Sequence, residues 1–217
     1  MRRPPDPTIA SFDGNKAIRL GRVNGVADLH LSGEPEADKL ISEDPLALLI
    51  GMVLDQQIPL EWAFGGPWRL KERLGGRLDA GEIAAMDPDA LGKAFAERPA
   101  LHRFPGSNAK RVHALAQIIV DEYDGDAAAL WNTASSGEEL YRRVKALPGF
   151  GEQKARIFVA LLGKQLGVQP PGWAEAAGPY GQPGTLMSVA DIKSPETLAE
   201  VRDYKRAKKA AAKAAAE

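Results

Sequence analysis

Leu147-Pro148-Gly149-Phe150-Gly151-Glu152-Gln153-Lys154-Ala155 is the stretch that decides how this chain folds. It lies between two helical patterns, Ser136 to Ala146 and Glu152 to Leu166. Glycines on either side of one apolar residue permit a sharp reversal that turns consecutive N–H groups outward. The second helix begins at that reversal, so the positive end of its dipole points the same way. Such a turn suits one phosphate of a nucleic-acid backbone and reads no base. A Gly-x-Gly alone is most often an ordinary connection; the full pattern between two amphipathic helices favours the phosphate reading.

Composition bounds what surrounds that turn. The 217 residues make one large domain or two small lobes, enough to bury a core. Hydrophobic residues at 44% and charged residues at 26% fit an ordinary soluble protein. With a net charge of −1 the whole chain is no magnet for nucleic acid, so any affinity must come from local patches. No apolar run is long enough to span a bilayer, and Met1-Arg2-Arg3-Pro4-Pro5-Asp6-Pro7 is too polar and proline-rich for a signal peptide. The expectation is a cytoplasmic monomer, nucleoid-associated when bound to DNA, with no membrane partner. The absence of cysteine excludes disulfides, zinc thiolates and cysteine-ligated iron–sulfur clusters. His30, His102 and His113 show no metal-ligand spacing, so neither metal nor cofactor is expected.

The hydrophobic patterning is mainly α. Residues 1–40 show short apolar alternation broken by glycines, read as one hairpin or a partly disordered segment. From Ser42 the pattern turns helical. Ser42 or Asp44 caps a helix with Pro45 in its first turn, and Leu46, Leu48, Leu49, Met52 and Val53 give it an apolar surface almost all round, to about Gln57. Further helices are expected over Glu61–Leu74, from the capping pattern Asp79-x-x-Glu82, and from Asp87-Pro88 to Glu97. Ser107 is expected to cap a long helix to Tyr123, with a turn or short helix at Ala127–Trp131 and a second capping pattern at Ser136-x-x-Glu139. The prolines and glycines from Pro170 to Gly184 read as a long loop that cannot hold a helix. Ser194-Pro195-Glu196 caps a last helix, and residues 201–217 read as an Ala/Lys-rich, solvated helical tail. The helical domain between spans residues 41–200.

The pattern L-P-G-F-G-x-x-x-A resembles the helix-hairpin-helix of the HhH-GPD DNA glycosylase superfamily, and the resemblance extends over about Asp44 to Gly167. It implies the helical fold of that superfamily and base excision repair by a monofunctional N-glycosylase. Its partner would be duplex DNA with a damaged or mispaired base, flipped out for reaction. In this reading Gly149, Phe150, Gly151 and Lys154 meet the DNA backbone. Leu54-Asp55-Gln56-Gln57-Ile58 is similar to the family's "Q-Q-[IL]-S" helix end, which maps Gln56, with Gln57 beside it, to the mouth of a base pocket. The bland alternative is that both glutamines cap the helix. Pro59 stands where the family usually has serine.

Leu101-His102-Arg103-Phe104 and Ser107-Asn108-Ala109-Lys110-Arg111 resemble the loop and helix start that carry the family's wedge. The resemblance gives Phe104 the task of filling the vacated base stack, with Arg103, Lys110 and Arg111 as a phosphate patch. A core phenylalanine and a solvated helix face explain the same residues. The pattern fails at the catalytic acid. The family places an aspartate one helix and a short loop after the hairpin, yet between Ala155 and Ala190 the only acid is Glu175. Asp191 precedes a capped helix as the family's aspartate does, though after a longer loop. Asp191 and Glu175 are therefore the candidate catalytic carboxylates; a turn-capping Asp191 and a surface Glu175 are the alternatives. Gln153 holds the position of the lysine in lyase members, and Lys154 is turned about 100° from it, which argues against Schiff-base chemistry. A catalytically silent binder of damaged or distorted DNA is the second reading.

Overall fold

The computed structural model describes residues 28–214. Eleven α-helices follow in order among them: α1 Pro35–Glu43, α2 Pro45–Leu54, α3 Leu60–Arg73, α4 Ala80–Ala85, α5 Pro88–Ala96, α6 Pro105–Tyr123, α7 Ala129–Asn132, α8 Gly137–Lys145, α9 Glu152–Gln165, α10 Trp173–Ala176 and α11 Pro195–Ala214. Short 3₁₀ turns occupy Gly178–Gly181 and Val189–Asp191, and no strand occurs among the described residues. The mainly α expectation holds.

The centre of the fold is α2. Asp44 caps it, Oδ1 accepting from the N–H groups of Leu46 (2.9 Å) and Ala47 (3.2 Å), and Pro45 enters its first turn. Every residue from Leu46 to Leu54 is buried. Full burial of each large aliphatic side chain stabilises by roughly 1.5–3 kcal/mol, so this helix anchors its neighbours α1, α3 and α6. It ends at Leu54, short of the expected Gln57. Pro59 biases the chain before it towards extended conformations, and Gln57 takes a left-handed φ of 60°. The second half of the core forms around α9, where Phe158 stacks edge-on against Phe150 (5.8 Å) and Trp131 (6.0 Å).

Several expected boundaries move. The N-terminal segment expected to reach residue 40 gives way to α1 at Pro35, because Asp38 Oδ1 accepts from the N–H groups of Leu31 (3.0 Å) and Ser32 (2.7 Å) and straps those residues onto the helix. Ser42 lies inside α1, its hydroxyl donating to the Asp38 carbonyl (2.6 Å). The hairpin expected in this region lies largely outside the described residues. Ser107 does not cap α6: the helix starts two residues earlier at Pro105, and Phe104 holds the cap position without a side-chain bond. The run from Pro170 to Gly184 does contain a helix. Pro170 and Pro171 precede α10 and Pro179 sits in the first turn of a 3₁₀ segment, positions where a missing N–H costs little. This segment packs on α8 and α9, and a Cβ at Gly163 would stand 2.2 Å from the Trp173 ring, so only glycine admits the contact. No described helix is long and apolar enough to cross a membrane.

Candidate nucleic-acid interface

The hairpin joins α8 to α9. Ser136 caps α8 through its hydroxyl, which accepts from the Glu139 N–H (3.2 Å). Gly149 takes a φ of +83°, a conformation L side chains rarely adopt, and Gly151 is the cap residue of α9 with no side-chain cap. The Phe150 N–H is used within the turn, donating to the Leu147 carbonyl (3.1 Å). Among the described residues the N–H groups of Gly149 and Gly151 have no hydrogen-bond partner, and both adjoin the positive end of α9. Gly151 is exposed, with open space where a Cβ would be. The turn therefore offers donors to an anion.

Phe150 is expected at this surface from the sequence, but its side chain is buried against Phe158 and contributes only backbone. Lys154 also turns inward. Its Nζ donates to the carbonyls of Met52 (2.8 Å) and Val53 (3.3 Å), closing the C-terminal end of α2 in the place foreseen for the glutamines. Burial brings the Lys154 ammonium down to about 8, with Asp55 opposing the shift and Arg111 adding to it.

Gln56 and Gln57 instead line a cavity of about 220 Å³ with His102, Phe104, Ser107, Asn108 and Arg111. Sequence patterns put the glutamines, Phe104 and Arg111 in the same neighbourhood, and the structure brings them together. A buried histidine, for which the local sequence gives no signal, holds the cavity wall. His102 Nδ1 accepts from the Phe104 N–H (3.0 Å), which leaves Nε2–H to donate to the Gln56 carbonyl (2.7 Å). Asn108, also buried, lies 2.8 Å from His102 Nδ1 and donates to the Phe104 carbonyl (3.0 Å). This network fixes the Phe104 loop against the turn after α2.

Phe104 is 48% exposed, one of two large apolar side chains on the described surface, and Arg103 stacks over its ring at 4.8 Å. Lys110 is exposed nearby. Arg111 Nη1 donates to Gln56 Oε1 (2.9 Å), and a Cβ at Gly149 would meet the Arg111 Cδ at 3.3 Å. Arg111 thus bridges the glutamine turn and the hairpin. With its oxygen engaged by Arg111, the exposed Gln56 keeps an N–H₂ donor that makes no hydrogen bond among the described residues.

The candidate acids are elsewhere. Asp191 is buried and saturated: Oδ1 accepts from Lys164 Nζ (2.6 Å) and Thr185 Oγ1 (3.0 Å), and Oδ2 from the N–H groups of Met187 (2.9 Å) and Ser188 (3.1 Å). Lys164 stands near the far end of α9 from the hairpin; its ten residues beyond Lys154 correspond to about 15 Å. Asp191 borders a separate hollow of about 620 Å³ with Lys164, Trp173 and Thr185. The extra loop residues are the reason: Ala176 and Tyr180 reach the first turns of α9 at Arg156 and Gln153, but the stretch from Thr185 to Ile192 folds onto Lys164 and Gln165 at its C-terminal end. Glu175 is exposed on α10 and makes no hydrogen bond or ion pair among the described residues; it does not line the Gln56 cavity either.

One further carboxylate, which is not among the residues lining the cavity, stands next to it in the chain. Asp55 follows the last turn of α2, its N–H donating to the Gly51 carbonyl (3.0 Å), and immediately precedes Gln56. Its carboxylate has no hydrogen-bond partner among the described residues. Burial pushes its pKa up, and the charges of Lys205 and Lys154 pull the other way. The one signal in the sequence is an acid ending a ten-residue apolar helix.

A helical fold with a glycine hairpin whose free N–H groups can hold an anion, an exposed aromatic and a small cavity beside it has the features of a nucleic-acid-binding scaffold. Residues 50–217 match the HhH-GPD superfamily base excision DNA repair protein family, and the chain belongs to it. Neither a curated protein nor a solved structure matches the chain.

Proposed function

We propose that this base excision repair protein is a monofunctional DNA N-glycosylase that hydrolyses damaged or mispaired bases flipped from duplex DNA, with Asp55 as its working carboxylate. The observation that carries the reading is the continuous wall from Gly149 through Arg111 and Gln56 to Phe104; Asp55 immediately precedes Gln56 in the chain. In this mechanism the hairpin holds a backbone phosphate and Phe104 fills the gap left by the extruded base. Gln56 donates to an acceptor on the base or its orphaned partner. The C1′–N bond breaks with its electron pair leaving on the base, water oxygen bonds to C1′, and Asp55 takes the water proton. Burial raises the Asp55 carboxyl, which makes its carboxylate a better proton acceptor. Lys154, held by two carbonyls, is assigned no Schiff-base step. The protein needs no metal in this scheme and works as a cytoplasmic, nucleoid-associated monomer.

The saturated Asp191 favours a second reading, a silent binder of damaged DNA, should Asp55 fail as the acid. A panel of duplexes carrying alkylated, oxidised, deaminated or mispaired bases, incubated with protein and then treated with alkali, tests the proposal. The expected result is strand cleavage at one class of lesion only after alkali. Tight binding with no cleavage on any member would favour the silent binder.

A further inference from the structure

The net charge of −1 leaves open which part of the molecule holds the second stretch of duplex backbone, since the hairpin accounts for a single phosphate. The last helix is the strongest candidate. Its 20 residues span about 30 Å. It is docked along its first half: Val201 is buried, and Arg202 pairs with Glu61 in the first turn of α3, five residues beyond Gln56. Lys205 follows one turn later, and its charge pulls down the pKa of Asp55, the residue before Gln56. From Lys205 to Ala214 the chain carries five basic residues, Lys205, Arg206, Lys208, Lys209 and Lys213, and no acid. Arg206 pairs with Asp203, one turn earlier on the same helix, at 3.4 Å. Lys205, Arg206 and Lys208 are exposed.

We infer that the C-terminal half of α11 is a second DNA-contact element, docked beside the cavity so that its basic residues lie along the backbone of the duplex whose lesion faces Gln56. This rests on the family's action on DNA and on the orientation of the cavity proposed above, not on the identity of the acid. A solvated, electrostatically idle helix is the competing account.

Binding of the full chain to an undamaged duplex, measured across a salt series, separates the two and needs no base release. Replacing Lys205, Arg206 and Lys208 together by Gln should weaken binding at least tenfold at moderate salt. It should also lower the slope of log K against log salt by about 2–3, since each phosphate neutralised by a basic side chain adds about 0.9. A variant with Lys205→Arg and Lys208→Arg, which keeps the charge, should retain the parent slope. If the Gln variant, folded by circular dichroism, binds within twofold of the parent with the same slope, the inference is overturned. Weaker binding by the folded Gln variant with the parent's slope intact would overturn it equally, because no phosphate contact, and no counterion release that goes with it, would then have been lost.

Discussion

Phe104 and Gly151 are single residues whose surroundings separate a role in DNA contact from a role in stability. Phe104 is half exposed at the start of α6, so its truncation leaves no buried cavity. Phe104→Ala should shift the melting temperature little, yet weaken binding to an abasic-site duplex by about 1–3 kcal/mol, the scale of one base–aromatic stack; equal affinity for abasic and intact duplex in both proteins would remove it as a wedge. At Gly151 a side chain meets open space and the φ of −85° suits any residue. Gly151→Leu should therefore fold normally and bind all duplexes more weakly, because the leucine occupies the place of the phosphate. Filter binding on matched and damaged duplexes checks this, and undiminished affinity would exclude the hairpin from the interface. Both positions are legible in the sequence, since a glycine hairpin and an aromatic before a Pro-initiated helix are local patterns. Asp55, His102 and Asn108 are not. The roles of His102 and Asn108 arise from contact between the turn after α2 and the loop before α6, a sequence separation of 46 residues in the His102–Gln56 bond, and Asp55 owes its surroundings to α9 and α11.

Among the elements, α2, α8 and α9 can be foreseen because caps, periodicity and glycines agree within each one. The segment from Pro170 to Ile192 reads as a loop because its prolines mask the single turn of α10, which packs on Gly163, while the buried Asp191 fixes the later part of the segment. That carboxylate ties Lys164 on α9 to Thr185 and to two backbone N–H groups. Removing one partner of a buried ion pair commonly costs about 3–5 kcal/mol. Asp191→Asn, which keeps the shape, should destabilise by on the order of 3 kcal/mol in urea unfolding while sparing base release by the folded protein. A stable variant that binds damaged DNA but releases no base would return the catalytic role to Asp191.

At the scale of the whole molecule, two half-cores meet at the end of α2, where Lys154 of α9 closes the helix and Asp55, next in the chain to Gln56, is left with a raised pKa. A buried acid whose pKa is raised on folding favours the folded state below its unfolded pKa, and that advantage disappears as pH rises through the folded value. Asp55→Asn removes the burden, so the variant should melt higher than the parent at neutral pH, with the difference vanishing at low pH where Asp55 is protonated in both states. Gain of stability with loss of activity is the mark of a group kept for function. The direct measurement is single-turnover base release from the best substrate of the duplex panel, for the parent, Asp55→Asn and Asp191→Asn, at saturating protein. The account predicts that Asp55→Asn binds as the parent does and loses release by at least a hundredfold, while Asp191→Asn retains it. Undiminished release by Asp55→Asn would contradict it.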